Sequence, residues 1–178
     1  MTVPVSAITI VVDNRSSSPL GNEHGFALWV EAGGLKILMD TGPGATLENN
    51  ASLLGIDLRG TEMLVLSHGH YDHTGAVDRV LELAPEAELF LHPEALLPRY
   101  SRRGNQSRAI RMPGRAMSAI IDHPEAKVHW SVHPVELAPG IWLTGSVPRL
   151  SGFEDPGGPF FLDPEGVRPD PIADDQSL

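Results

Sequence analysis

The stretch Leu64-Val65-Leu66-Ser67-His68-Gly69-His70-Tyr71-Asp72-His73-Thr74-Gly75 sets three histidines and an aspartate within six residues, directly after an apolar run. Met63 to Leu66 reads as a buried strand from its unbroken apolar character. Val77, Val80, Leu81 and Ala84 then recur at helical spacing, and Pro85 ends the pattern. The cluster therefore lies between a strand and a helix. His68 and His70 are two residues apart, so extended backbone projects both imidazoles to one side, where they can grip one ion. Asp72 and His73 follow as the chain turns toward the helix and can point to a second position beside the first. Imidazole with carboxylate suits zinc, and also iron, manganese or nickel. Gly69 and Gly75 admit tight backbone turns around the ions. A reading in which Asp72 or Thr74 merely caps the helix leaves the three histidines unexplained.

Outward from this stretch the chain alternates strands and helices. Ala7 to Val12 is β-branched and reads as a buried strand. Phe26 to Glu31 and Leu35 to Met39 flank Gly33-Gly34 and read as a hairpin. Leu47 to Leu54 has helical spacing and stops at Gly55. Leu89 to Leu91, Val128 to Val132 and Ile141 to Leu143 suggest further strands. Strands joined both by hairpins and by helices imply an α/β protein with a mixed sheet.

Composition bounds the function. The 178 residues are a prior for one domain. No apolar run approaches 18 residues, which argues against a membrane span. The N-terminus shows no basic region before its short apolar run, so a cytoplasmic protein without a signal peptide is expected. The chain has no cysteine, which excludes disulfides, thiolate metal sites and cysteine nucleophiles. With 23 acidic against 13 basic residues the net charge is -10, which argues against nucleic-acid binding. Six of the bases lie between Arg99 and Arg115. They read either as a solvated loop or as an anion clamp, since arginine meets phosphate bidentately. The residues from Gly152 onward are rich in proline, glycine and aspartate and read as an irregular, loosely ordered tail.

HGHYDH resembles the HxHxDH signature of the metallo-β-lactamase fold superfamily. Asp40, in Leu38-Met39-Asp40-Thr41-Gly42, resembles that superfamily's acidic residue that ends an early strand and supports the metal site. Asp13-Asn14, Glu23-His24-Gly25-Phe26, Arg99 to Arg103, Thr144-Gly145-Ser146-Val147-Pro148-Arg149 and Asp174-Asp175-Gln176-Ser177-Leu178 are similar to the dihydropterin-methyl-ribofuranosylaminobenzene-phosphate synthase-like branch. The resemblance implies a four-layer αββα sandwich with the metal site between two sheets. It implies two divalent ions, zinc first and iron or manganese as alternatives, with no organic cofactor. His68 and His70 would hold one ion, and Asp72 and His73 the other. Asp72 would also orient or deprotonate a metal-activated water, and Asp40 would fix a ligating imidazole. His24, Arg99, Arg102 and Arg103 are candidates for contact with a small, phosphorylated substrate.

The family pattern also continues with a later histidine, in a Gly-Cys-Ser-His-like segment, that this sequence lacks. By that likeness residues 1–178 form the N-terminal half of the sandwich plus part of its middle, and 152–178 an acidic junction or tail. Two protein ligands per ion fall short of the usual three. Two expectations follow. One is a metal-dependent hydrolase acting on a small molecule. The other is a non-catalytic metal-binding or interaction module that needs a second copy or a complementing chain. His92 is read as ending a strand, and His123, His129 and His133 as non-ligands.

Overall fold

The computed structural model describes residues 5–154 and 158–178. β1 (Val5–Val12), β2 (Ala27–Ala32) and β3 (Leu35–Met39) form an antiparallel meander. Gly33 and Gly34 make its tight turn, with φ of 61° and 87° that a side chain would resist. β4 (Met63–Val65), β5 (Glu88–Leu91), β6 (Tyr100–Arg103), β7 (Gln106–Ala109) and β8 (Val128–Trp130) follow. β3, β4, β5 and β8 run parallel, which gives one mixed six-stranded sheet in the order β1-β2-β3-β4-β5-β8.

Side chains alternate across this sheet. Trp29, Leu38, Leu64 and Leu89 pair in register on one face. They pack against α1 (Leu47–Leu53), α3 (Val77–Leu83) and α4 (Gly114–Asp122) through Leu47, Ala51, Val80, Leu81, Ala116 and Ile120. Leu38, Leu64 and Leu89 are fully buried, each worth about 1.5–3 kcal/mol relative to exposure. Val30, Ile37, Val65 and Phe90 occupy the other face, covered by the hairpin of β9 (Val135–Ala138) and β10 (Ile141–Leu143). The layers are thus helices, central sheet and a short second β layer. Among the described residues no helix is long and apolar enough to cross a membrane.

The structure corrects three expectations. β1 is the sheet's edge strand, and Ile8 and Ile10 are more than half exposed. They pair with Val30 and Leu28 on the second face, where nothing among the described residues covers them. The arginine-rich segment is neither a plain loop nor wholly solvated. β6 and β7 form a hairpin, and β11 (Phe160–Phe161) adds to it in the order β11-β6-β7. The tail is irregular but not loose, because Asp170, Asp174 and Gln176 are buried. Residues 155–157 of that tail lie outside the described residues.

Candidate metal centre

β4 ends at Val65, and the short helix α2 (Tyr71–Thr74) begins six residues later, with His70 as its N-cap residue. The ring centroids of His68 lie 4.5 Å from His70 and 4.2 Å from His73, so the turn brings the three imidazoles together. Two glycines make this possible by close approach. A Cβ on Gly69 would stand 2.0 Å from the Ala95 carbonyl oxygen, and one on Gly75 would stand 2.3–2.5 Å from Pro43 backbone. Gly75 itself has an ordinary helical φ, so packing and not a special turn conformation excludes a side chain there.

Asp40 organises the underside. It follows β3 with φ 60°, a left-handed conformation that aspartate tolerates better than most residues. Its Oδ1 accepts from the Ser67 N–H at 2.7 Å. Its Oδ2 accepts from Ser67 Oγ at 2.6 Å and from His73 Nδ1 at 2.7 Å. With its proton given to Asp40, Ser67 Oγ accepts from His68 Nδ1 at 2.9 Å. In their neutral forms both His68 and His73 thereby carry the proton on Nδ1 and keep a lone pair on Nε2. His73 Nε2 lies 3.9 Å from Asp72 Oδ2, and His24 Nε2 approaches the same carboxylate oxygen at 3.4 Å.

The electrostatics separate these histidines. Burial lowers His68 well below the ordinary value, helped by His73 and His70. Burial, with Arg99 and His73, brings His70 down to about 3. Burial also opposes charge on His73, but the hydrogen bond and charge of Asp40, with Asp72 and Asp175, outweigh it and raise its pKa. In the metal-free chain this sets a pH dependence. The contributions of His68 and His70 to stability are complete above the unfolded value near 6.5. They are lost as pH falls toward their folded values, at about 1.4 kcal/mol per histidine per pH unit. That of His73 is complete below about 6.5 and is lost as pH rises through its raised folded value. Below 6.5 the His73 contribution no longer changes, so the losses from His68 and His70 act alone and the urea midpoint is expected to fall between pH 6.5 and 5. A midpoint that rises over that window would contradict the assignment.

These donors suit a divalent ion. His68 and His70 are neutral, and His70 Nε2 is a buried nitrogen with no hydrogen-bond partner, a state that native interiors rarely leave uncompensated. Among the described residues no three His, Asp or Glu side chains converge on one ion position.

A cleft of about 530 Å³ opens beside the cluster, lined by His24, His70, Asp72, Arg103, Arg108 and Phe160, with Tyr71 and Ile110 between them. His24 stands at its exposed rim, held by Asn14 Oδ1 at 2.7 Å. Arg103 reaches the cleft. Arg99 and Arg102 do not. Arg99 is fully buried, with Nη1 donating to Asp170 at 2.9 Å and Nη2 to Asp174 at 2.6 Å. Its charge is spent inside the protein, so it cannot meet a substrate. Arg102 donates to the Gly104 carbonyl instead. Arg108 was visible in the sequence only as one of six clustered bases. Its guanidinium carbon stacks 5.1 Å from the centre of the Tyr71 ring. Ser67, Tyr71 and Phe160 carried no sequence signal of a site. His92, His123 and His129 hold other partners: Ser146, the Ala87 carbonyl and Glu88.

The sequence profile of the metallo-beta-lactamase superfamily matches residues 20–171. The chain belongs to this superfamily. It is 29% identical over 173 residues to an uncharacterized protein of Methanocaldococcus jannaschii, covering 96% of this chain and 64% of that protein. It is 30% identical over 145 residues to the 7,8-dihydropterin-6-methyl-4-(beta-D-ribofuranosyl)-aminobenzene-5'-phosphate synthase of the same organism, covering 74% of this chain and 46% of the enzyme. A crystal structure described as a metal-dependent hydrolase of the beta-lactamase superfamily superposes with a TM-score of 0.74 at 27% identity, over 95% of this chain and 59% of that one. The α/β fold is thus the superfamily's, and the chain spans less than two thirds of each of these three relatives.

Proposed function

We propose that the chain carries the metal-binding part of a hydrolase that acts on a small phosphorylated molecule. One observation carries this reading: a cluster of three imidazoles and a carboxylate at the foot of a cleft whose wall bears Arg103 and Arg108. His68 and His70 hold one divalent ion, and Asp72 and His73 a second, with zinc the leading candidate and iron or manganese the alternatives. Bound there, the metals supply a polarised oxygen and a water acidified toward neutral pH. Asp40 holds the His73 ring from behind, and Asp72, whose Oδ2 faces His24, would orient such a water or take its proton. His24, 3.4 Å from that oxygen and largely exposed, passes the proton to solvent. Arg103 and Arg108 receive the phosphate as charged, directional donors.

The test uses a nitrophenyl phosphodiester with the zinc-loaded protein. Arg108→Ala is expected to raise KM about tenfold or more with kcat little changed, the pattern of lost ground-state binding. An unchanged KM in both Arg108→Ala and Arg103→Ala would remove the anion clamp from the proposal.

The two-donor geometry favours a second reading, a metal-binding module without activity of its own. Zinc uptake with no turnover of phosphodiester, lactone or β-lactam probes would support it. Size-exclusion chromatography with and without metal would show whether a second copy completes the site.

A further inference from the structure

Asp170 to Gln176 form no helix or strand, yet Asp170, Asp174 and Gln176 are buried. Their hydrogen bonds converge on the metal-ligand turn. Gln176 Nε2 donates to the Leu66 carbonyl at 2.8 Å, and the Gln176 N–H donates to the Ser67 carbonyl at 3.0 Å. Asp174 Oδ2 accepts from the Gly69 N–H at 2.8 Å. Gly69 is the residue between His68 and His70, so its N–H direction sets how the two rings are presented.

This contact is itself fixed from behind. Arg99 Nη2 donates to Asp174 Oδ1 and to the Glu94 carbonyl at 3.2 Å, while Nη1 donates to Asp170. Ser131 Oγ donates to Gln176 Oε1 at 2.8 Å. Ile172, between the two aspartates, has φ 53°, a conformation that a β-branched residue adopts only where its surroundings impose it. On the other side of the turn the Ala95 backbone packs so closely that Gly69 has no room for a side chain.

We propose that Asp174 and Gln176 are positioning residues for His68 and His70. They hold the turn in ligand geometry before an ion arrives, and Arg99 supplies the charge that keeps the Asp174 carboxylate buried and aimed. This rests on His68 and His70 being metal ligands, as argued above. A pair already ordered does not lose conformational entropy on binding, and partners of this kind are typically worth 10–100-fold in metal affinity.

Cobalt(II) titration of the metal-free full chain tests this, reading both the affinity and the visible absorption of the bound ion. Asp174→Ala is expected to weaken binding about 10–100-fold and to alter the absorption band. Asp174→Asn equally removes the charge facing Arg99 but keeps an acceptor for the Gly69 N–H, so it is expected to recover part of the loss. A folded Asp174→Ala protein with wild-type affinity and band overturns the proposal. His70→Ala serves as the control: if it binds cobalt(II) as the wild type does, or the wild type binds none, the ligand assignment fails and the positioning role with it. Should both Asp174 variants fail to fold, amide exchange in the metal-free wild type decides. A Gly69 N–H protected at least about 100-fold over an unstructured peptide supports a preformed turn, and exchange at the peptide rate overturns it.

Discussion

Asp40→Ala is expected to lower the unfolding free energy of the metal-free chain by roughly 3–5 kcal/mol, the scale for removing one partner of a buried charged contact. Asp40 is 1% exposed and accepts three hydrogen bonds, from the Ser67 N–H, Ser67 Oγ and His73 Nδ1. Truncation leaves buried donors without an acceptor, each a penalty of about 1–3 kcal/mol. Alanine must also adopt φ 60°, which aspartate tolerates better. Asp40→Asn does not escape, because its NH2 group faces donors. A second readout separates this from general damage. The Asp40 hydrogen bond leads the influences that hold the His73 pKa up against burial. In the variant the His73 ring titration, followed by NMR, is expected to move down. Stability within 1 kcal/mol of wild type together with an unmoved His73 titration would contradict the role given to Asp40.

His68→Ala and His73→Ala are expected to remove different ions. If His68 and His70 hold one and Asp72 and His73 the other, each substitution leaves a single protein donor at one position and an intact pair at its neighbour. Affinity at the damaged position is expected to fall by more than about 100-fold, beyond the loss typical of a supporting partner. The metal content after gel filtration then drops by one ion per chain in either variant and by both in the double variant. Equal loss of all metal from each single variant would mean that the four donors form one shared site. This measurement bears on the stoichiometry directly and does not depend on knowing a substrate.

How much of this was legible depends on how local each signal is. The β2–β3 hairpin at Gly33-Gly34 and the stop of α1 before Gly55 rest on neighbouring residues, and the structure agrees with them; the histidine motif is equally local, and it lies between strand β4 and helices α2 and α3 as its flanks imply. Arg99 was misread because its partners, Asp170 and Asp174, lie 71 and 75 residues away. Nothing beside an arginine reveals that it will be buried. Helix α4 carries little sequence signal because its two buried positions, Ala116 and Ile120, make a thin apolar stripe after Pro113 and Gly114. The β6–β7 hairpin gave no alternating pattern, since all of β7 is exposed. Ile8 and Ile10 show the converse: an apolar run predicts a strand well, but which of its faces is covered depends on elements far along the chain.

The bond from Gly69 to Asp174 spans 105 residues. During synthesis at roughly 5–20 residues per second, the histidines therefore leave the ribosome on the order of 5–20 seconds before the carboxylate that fastens their turn. In that interval the nascent chain presents its histidine cluster with neither its final spacing nor its final burial. Whatever captures those imidazoles early, a stray metal ion or another nascent chain, competes with folding itself.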